Sequence, residues 1–141
     1  FIWADPRNDS AARRDDLASA IDIAPTILAT AGCTPYLGIQ GRDLFTAAPR
    51  EALMIEHEDN KPTPGFARPA NLRSLLTADH RITVYRGVSW GELYDLQADP
   101  QELYNLWDDP DSAAAKTEML QQLSLSMIEA VDSSPWPNKL A

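Results

Sequence analysis

Cysteine and histidine are scarce in this 141-residue sequence, and each shortage excludes a class of site. The single cysteine, Cys33, rules out an internal disulfide and a thiolate metal cluster. The two histidines, His57 and His80, have no thiolate partner and lack the helical i, i+4 spacing of a histidine metal site. The six glycines form no glycine-rich phosphate loop, and no Ser/His/Asp set stands in a catalytic motif.

Positive charge is also in short supply. Lysine and arginine number 12 against 21 aspartates and glutamates, which gives a formal net charge of −9. The arginines are scattered, and the only lysines are Lys61, Lys116 and Lys139. Because nucleic-acid binding requires clustered basic residues, we expect no nucleic-acid partner.

Long apolar runs are absent as well. No run approaches the roughly 18 residues that a membrane-spanning helix needs, so we expect no membrane partner. The composition, 44% hydrophobic and 23% charged, is that of a soluble globular protein with one core. The composition leaves the compartment open, with a cytoplasmic location favoured over a periplasmic one.

The first residues read as part of a larger fold. The chain opens without methionine or a signal-peptide pattern, on the apolar run Phe1-Ile2-Trp3-Ala4, which Asp5-Pro6 closes. Such a run is typical of a strand. We therefore expect the sequence to begin within a longer protein.

The next segment predicts a short strand and a helix. Leu17 to Ile21 could form the strand, and Asp22 is a good N-cap for a helix that runs to about Ala31. Pro25 is tolerated in the first turn, and Gly32 is placed as a C′ glycine. The apolar face of this helix would consist of Ile23, Ile27 and Leu28.

The middle of the chain predicts four strands. Ala78-Asp79-His80 suits the turn of a hairpin, and the other links are short or rich in proline. On the first strand, Leu53, Ile55 and His57 point the same way. We expect an antiparallel meander with strands at 52–58, 72–77, 81–86 and 92–96.

The end of the chain predicts a helix. Asp109 can cap it, Pro110 fits its first position, and Asp111 favours its positive end. We expect it to lie across one face of the sheet, with Lys116 on the solvent side and the tail 133–141 as a loose strap. Its apolar stripe comprises Met119, Leu120, Leu123, Met127 and Val131.

Two segments resemble a known family. The first reads Ile21-Asp22-Ile23-Ala24-Pro25-Thr26-Ile27-Leu28-Ala29-Thr30-Ala31-Gly32, with Gln40-Gly41-Arg42-Asp43-Leu44 after it. It resembles the sulfatase-family pattern of Asp, an apolar residue, Ala-Pro-Thr, two apolar residues and Ala-Gly, followed by Gln-Gly-Arg-Ser/Asp-Leu. The matching residues we single out are Asp22, Pro25, Thr26 and Gly41.

The second segment runs from Gly91 to Leu106. It resembles the Glu-Leu-Tyr-Asp-Leu … Asp-Pro … Glu … Asn-Leu signature near the C-terminus of sulfatases and of phosphonate-ester hydrolases in the alkaline phosphatase superfamily. The matching residues are Glu92, Tyr94, Asp95, Asp99, Pro100 and Asn105. We interpret both sets as structural: Asp22 as a helix cap, Asp99-Pro100 as a turn, and Tyr94 as packed on the sheet with its hydroxyl in water.

The resemblance implies an enzyme whose chemistry lies elsewhere. In that family the nucleophile is a Cys or Ser in Cys/Ser-x-Pro-x-Arg, with the Cys converted to formylglycine, beside a divalent metal that is usually calcium or magnesium. These groups lie upstream of the Ala-Pro-Thr helix. We therefore expect no catalytic residue, no metal ligand and no cofactor in this chain. Its partner would be the missing N-terminal catalytic domain of the same protein, with a homo-oligomer as a second option.

Three local patterns imitate family chemistry. Cys33-Thr34-Pro35-Tyr36-Leu37 has Leu37 where the motif needs Arg, so we interpret Cys33 as a small residue past a helix end. Glu58-Asp59-Asn60 lies after the helix instead of before it and reads as an acidic loop that closes a strand. His80 falls in the predicted turn and should be solvated. His57 is the one candidate substrate-binding residue, although its strand face favours a packed, hydrogen-bonded histidine.

The sequence therefore predicts an α/β chain: a four-stranded antiparallel sheet with a packed C-terminal helix, preceded by a remnant strand and helix of the parent α/β sandwich. The expected parts are 1–50 from the main sulfatase domain, 51–132 as the C-terminal subdomain, and 133–141 as a tail. The predicted function is that of a structural subdomain of a sulfatase-like hydrolase of sulfate, phosphate or phosphonate esters, inactive alone. The alternative is a free-standing interaction module without enzymatic activity.

Overall fold

The computed structural model describes residues 13–61 and 64–131. A four-stranded antiparallel sheet in the order β1-β2-β3-β4 and a long helix make up most of it, as predicted. The predicted strand Phe1–Ala4 and the tail 133–141 lie outside the described residues. The elements are α1 (Ile23–Thr30), β1 (Ala52–Glu58), β2 (Asn71–Thr77), β3 (His80–Tyr85), β4 (Gly91–Asp95) and α2 (Ala113–Glu129).

The β2–β3 hairpin turns over two residues, Ala78 and Asp79. The Thr77 hydroxyl oxygen accepts hydrogen bonds from the His80 amide at 3.0 Å and from the Asp79 amide at 3.3 Å, which tightens the turn. His80 is consequently the first residue of β3 and half-buried. The prediction of a solvated His80 within the turn was wrong.

The core is a row of aliphatic side chains that crosses the sheet. Met54 pairs with Leu75, Leu75 with Ile82, and Ile82 with Leu93. Leu75, Ile82 and Leu93 are 0% exposed. This face packs against α2 through the buried side chains of Met119 and Leu123, so the helix lies on the sheet as predicted.

The face of β1 that meets the core differs from the prediction. Ala52 and Met54 pack against the core, whereas Leu53, Ile55 and His57 share the opposite face. Ile55 is 41% exposed and His57 is exposed. His57 is therefore not a packed histidine, because its strand lies at the edge of the sheet and its face is not the one that α2 covers.

The start of α2 follows the predicted cap. The Asp109 carboxylate accepts from the Asp111 amide at 3.2 Å and from the Ser112 hydroxyl at 2.7 Å. Pro110 occupies the first position of a 3-10 turn, Pro110–Ser112, that leads into the helix. The Asp109 carboxylate thereby satisfies the Asp111 amide, which would otherwise lack a partner in the first turn.

The apolar stripe predicted on α2 extends beyond the part of the helix that is buried. Met119 and Leu123 are buried and Leu120 packs at the edge of the core, but Met127 and Val131 are 44% and 67% exposed. The helix leaves the sheet after Leu123. Its last turn instead meets the N-terminal part of the chain, where Gln40 Nε2 donates to the Ala130 carbonyl at 2.8 Å.

Lys116 does not lie on a free solvent face, contrary to prediction. Its ammonium group donates to the Trp107 carbonyl and lies 4.9 Å from the centroid of the Trp107 ring. The cation–π contact and the hydrogen bond together hold Trp107 beside the core. Trp107 also explains Gly91, because a Cβ there would lie 2.5 Å from the indole ring.

The N-terminal part contains a turn where a strand was predicted. Ala20–Asp22 forms a 3-10 helix that runs directly into α1. The Asp22 carboxylate accepts from the Ser19 amide at 2.8 Å, which pulls the chain into a turn and prevents the expected strand over Leu17–Ile21.

The end of α1 matches the prediction, but its buried face does not. Gly32 has φ of +71°, and its amide donates to Ala29 while the Cys33 amide donates to Leu28, a Schellman arrangement. The buried residues are Pro25 and Thr26, whereas Ile23 and Ile27 are 37% and 49% exposed. The polar bonds of Thr26 turn that side of the helix inward.

We predict that Leu123→Ala lowers the free energy of unfolding by about 2–5 kcal/mol, because it removes a buried side chain from the helix–sheet contact. The exposed neighbour Gln121 provides the control, and Gln121→Ala should change stability by less than about 0.5 kcal/mol. Urea denaturation followed by circular dichroism measures both. Equal losses would mean that α2 packs on another face.

Candidate functional site

The first family segment converges on one buried carboxylate. Asp22 is 0% exposed, and both of its oxygens are engaged by Arg50, with Arg50 Nη2 at 2.6 Å from Oδ1. The backbone amides of Ser19 and Arg42 donate to the same group at 2.8 and 2.9 Å. Asp22 is thus the centre of a clamp and not the helix cap that the sequence predicted, since its side chain bonds no amide of α1.

Hydrogen bonding sets the ionisation of Asp22. Burial raises its pKa, but the hydrogen bonds from Arg50 and from the two amides lower it by more, so that its pKa falls from 3.8 to about 2. The same bond raises the pKa of Arg50. Asp22 and Arg50 are therefore both charged at neutral pH, and both oxygens of the carboxylate accept hydrogen bonds.

Thr26 and Gly41 complete the clamp. The Thr26 hydroxyl donates to the Asp22 carbonyl at 2.6 Å and accepts from the Leu44 amide at 3.0 Å. A Cβ at Gly41 would collide with the Ile21 carbonyl and would reach Pro25 Cγ at 3.0 Å, so only glycine fits there. The two halves of the first segment, which are separate in the sequence, are one structural unit.

The second segment is organised around Asn105 at the outer edge of β4. Its side-chain oxygen accepts from the amides of Leu93 and Trp107 at 3.0 Å each, and its nitrogen donates to the Gly91 carbonyl at 3.0 Å. The Leu106 amide also donates to the Leu93 carbonyl at 2.8 Å. Asn105 therefore pairs with backbone groups that an edge strand would leave open.

Asp95 and Asp99 shape the loop that returns to this edge. Asp95 Oδ1 accepts from the amides of Gln97 and Ala98, which lowers its pKa. Asp99 Oδ2 accepts from the Tyr104 amide at 2.8 Å, so Asp99-Pro100 begins a turn as predicted. Within that turn Glu102 adopts φ of +57°, a left-handed conformation that is uncommon for a non-glycine residue.

Glu102 uses this conformation to reach Arg81. Both of its oxygens bond the guanidinium, with Arg81 Nε at 2.7 Å from Oε1. Arg81 also lies 5.1 Å from the Tyr94 ring centroid and 3.7 Å from Glu92. Glu92 and Tyr94 thus support an ion-pair network on the sheet face opposite α2. Burial and the neighbouring carboxylates raise the pKa of Tyr94 above its usual range.

Cys33 and the acidic loop, which imitate family chemistry, follow α1 and β1 respectively. Cys33 is exposed just past α1, without the arginine that the nucleophile motif requires. Glu58 ends β1 and bonds Arg73 at 2.9 Å, and the Asp59 amide donates to the Ala70 carbonyl. Within residues 13–61 and 64–131, no three His, Cys, Asp or Glu side chains come together as a metal site.

A cleft lies beside the Asp22 clamp. It has a volume of about 590 Å³ and a lining that includes Leu17, Ile23, Leu44 and Phe45. Arg14 also lines it, and its guanidinium pairs with Asp16. The polar side chains of Ser19 and Thr26 also belong to this lining.

Sequence reasoning missed Arg50, Glu102 and the Trp107–Lys116 contact. Asp22 and Arg50 are 28 residues apart, and Arg81 and Glu102 are 21 apart. No periodic pattern links residues at such distances. Pairing each arginine in turn with the carboxylates of the two family segments could have suggested these ion pairs. It could not have chosen the correct pairs from among the possible ones.

Structure comparison places this architecture among sulfatase-type enzymes. The chain is similar to a phosphonate monoester hydrolase from Silicibacter pomeroyi, with 24% identity, a TM-score of 0.71, and 82% of this chain covered against 26% of that one. It is also similar to a putative sulfatase from Bacteroides thetaiotaomicron, with 21% identity, a TM-score of 0.66, and coverage of 79% and 25%. A third structure, solved with its substrate D-glucosamine-2-N,6-O-disulfate, has 24% identity, a TM-score of 0.65, and coverage of 84% and 25%.

These likenesses define the fold. The chain has the fold of the C-terminal part of sulfatase-family enzymes and spans about a quarter of their length. Sequence profiles of known families do not match the chain, and no curated protein matches it. Within the described residues, no helix is both long and apolar enough to cross a bilayer.

The low pKa of Asp22 predicts a stability change in acid. Because the pKa of Asp22 is lower in the folded state than the unfolded value of 3.8, its ionisation stabilises the fold at pH values above 3.8. This stabilisation is lost as the pH falls toward about 2. It should amount to roughly 2 kcal/mol. Hydrogen exchange of the α1 amides between pH 5 and 2 should therefore show progressive opening over about that range.

Asp22→Asn should remove this pH dependence and open α1 at neutral pH, because it breaks the ion pair with Arg50. Asp15→Asn, at a carboxylate that is 75% exposed, should leave both the pH dependence and the protection of α1 unchanged. If the protection of the α1 amides from hydrogen exchange stays constant between pH 5 and 2 in the unmodified chain, the lowered pKa of Asp22 is contradicted.

A separate prediction concerns the edge of β4. Asn105→Ala should cost about 1–2 kcal/mol, since it leaves three backbone groups dependent on water alone. Asn60→Ala, at an exposed site, should be neutral within about 0.5 kcal/mol. Urea midpoints at constant m-value measure the difference. An Asn105→Ala variant of unchanged stability would show that water replaces the hydrogen bonds of Asn105 at no cost in free energy.

Proposed function

We propose that this chain is the C-terminal structural subdomain of a sulfatase-like ester hydrolase and is not catalytic alone. In the intact protein it would support a catalytic domain that hydrolyses sulfate, phosphate or phosphonate esters. The likeness to sulfatases and to a phosphonate monoester hydrolase over about a quarter of their length supports this proposal.

The apolar surface of the N-terminal part is the observation that carries the proposal furthest. Ile21 and Ile27 are 53% and 49% exposed, and Tyr36 and Leu37 are 68% and 77% exposed. The core residues of the sheet are buried beneath α2, although Leu103 and Ile128 outside that core are also 68% and 70% exposed. Exposed large apolar side chains within one short stretch of the chain support a surface that another domain covers.

We propose a division of the chain near residue 50. Residues 1–50 would belong to the main α/β domain, 51–132 would form the C-terminal subdomain, and 133–141 would be a tail. The Asp22–Arg50 pair supports a boundary near 50, because it ties the last residue of the first part back to the start of α1. Gln40 and Ala130 then join the two parts at the end of α2.

The chemistry would be supplied by the preceding domain. It would carry the nucleophile and the ligands of a divalent metal, which in the resembled family lie upstream of the Ala-Pro-Thr helix. The signature residues Asp22, Pro25, Thr26 and Gly41 would hold the end of that domain in shape. The signature residues of β4 and its return loop would hold the sheet edge closed.

The coding sequence upstream of Phe1 tests the proposal most directly. It should encode a Cys/Ser-x-Pro-x-Arg motif ahead of residue 1, in the same reading frame. A stop codon immediately upstream would instead favour the free-standing interaction module. In that case the exposed side chains of α1 would belong to a contact with another protein.

We predict no ester hydrolysis by the isolated chain. With calcium, magnesium or manganese present, 4-nitrophenyl sulfate, phosphate and phenylphosphonate should turn over no faster than in buffer, because the Cys33 motif has Leu37 where the family nucleophile motif has Arg. Cys33→Ala serves as the matched variant. Turnover that Cys33→Ala abolishes would overturn the proposal that the chain is inactive.

A further inference from the structure

The two edges of the sheet differ in how their backbone groups are bonded. At the β4 edge, the Asn105 side chain and the Leu106 amide bond the backbone of Gly91 and Leu93. At the opposite edge, β1 pairs with β2 on one side only. Among the described residues, none outside the sheet bonds the backbone of residues 52–58. The β4 edge is therefore closed, and the β1 edge is open.

The register shows which backbone groups of β1 point away from the sheet. The Asp59 amide donates to the Ala70 carbonyl at 2.9 Å, just beyond the last pair of β1 with β2. Because the backbone groups of an antiparallel strand alternate in direction, Leu53, Ile55 and His57 also bond β2. The amides and carbonyls of the other residues of β1, which we call the outward residues, point into solvent: Ala52, Met54, Glu56 and Glu58.

Little on β1 prevents a further strand from pairing there. Natural edge strands are protected by proline, by a bulge, by a covering segment or by charge. The pairing of β1 with β2 is unbroken over 7 residues, none of them proline. Glu56 and Glu58 bond Arg73 at 2.7 and 2.9 Å, and the hydrogen bond and charge of Arg73, with the charge of Arg86, lower the pKa of Glu58. Two arginines therefore balance the two carboxylates of this edge.

The sequence of β1 is complementary to itself in the reverse direction. When two copies of 52–58 overlap fully as antiparallel strands, Ile55 lies opposite Ile55. Ala52 then faces Glu58 and Met54 faces Glu56, so outward residues meet outward residues and no two carboxylates are directly opposed. A register centred on Glu56 would place Glu56 against itself, and one centred on Met54 would shorten the overlap. The full overlap is thus the favoured register.

We propose that two copies of this chain associate by antiparallel pairing of β1 with β1, centred on Ile55. Each outward residue would exchange backbone hydrogen bonds with the other copy, and the two four-stranded sheets would become one. Ile55 lies at a non-hydrogen-bonded position of the new pair, where side chains come closest. Its side chain is 41% exposed in one copy and would be covered by Ile55 of the other. One contact would therefore cover both the open backbone and this apolar side chain.

This contact does not depend on the proposed function, because it uses the sheet alone. A stop codon upstream of Phe1 would reject the enzyme assignment and leave the contact in place. A chain that stays monomeric would reject the contact and leave the enzyme assignment in place. The two proposals can therefore fail separately.

Sedimentation velocity of the 141-residue chain at increasing concentration tests the association. A monomer–dimer equilibrium should appear, and added salt should strengthen it, because two chains of net charge −9 repel each other. Hydrogen exchange should show an alternating pattern along β1. The Met54 and Glu56 amides should be protected only in the dimer, whereas the Ile55 and His57 amides should be protected in both states.

Charges placed at the centre of the contact test its register. Ile55→Lys and Ile55→Glu should each weaken self-association at least about tenfold, since the apolar pair is lost and like charges stand directly opposite. A mixture of the two variants should form a heterodimer, because the introduced charges then have opposite signs. Ile128→Lys, at a side chain of α2 that is 70% exposed, is the matched control and should change self-association less than about twofold.

A backbone variant provides a second measurement. Glu56→Pro removes an outward amide that bonds nothing in the monomer, so the sheet should keep its dispersed amide spectrum while the dimer is lost. Glu56→Ala retains the amide and should still dimerise. This pair of variants separates loss of the backbone bond from loss of the carboxylate.

Three results would overturn the proposal. A chain that is monomeric at every concentration, with rapid exchange of the Met54 and Glu56 amides, would show that the edge stays open. Protection of these amides in a monomer would show that another segment of the same chain covers the edge. A dimer that persists in Ile55→Lys and Ile55→Glu, or a mixture of the two that does not associate, would show that the copies meet elsewhere.

Discussion

Leu75, Ile82 and Leu93 stand in register across three strands, and the architecture depends on the cover that α2 places over them. A sheet of this size is not stable with both faces in water, because its aliphatic row would stay hydrated. Met119 and Leu123 complete the burial. The position of the helix is in turn fixed by Asp109 at its start and by the Lys116–Trp107 contact beside the core.

Around that core, polar side chains serve as clamps between segments. Asp22 holds three other parts of the chain through its carboxylate, and Asn105 binds the free edge of β4. Both belong to the motifs by which the sulfatase fold was anticipated. Demanding hydrogen-bond geometry is therefore one physical reason why these residue types recur together in such a motif.

Local patterns were sufficient for the sheet and for the start of α2. Alternating strands, a short hairpin turn and the Asp109-Pro110 cap each act over a few residues, so they could be predicted. The inward face of β1 could not, because Leu53 and Met54 are equally apolar and only the position of α2 decides between them. The role of Asp22 was misjudged for a similar reason: its partner, Arg50, is brought near only by the fold.

The order of the strands has a consequence for how the chain acquires its structure. Each strand pairs with the next along the chain, and the β2–β3 turn has only two residues. Loop closure between neighbouring strands costs little conformational entropy, so such contacts can form early. The Asp22 clamp instead closes over 28 residues and lies outside the meander. A newly synthesised chain would therefore form the ordered sheet even when the segment before β1 had not yet formed its ion pair between Asp22 and Arg50.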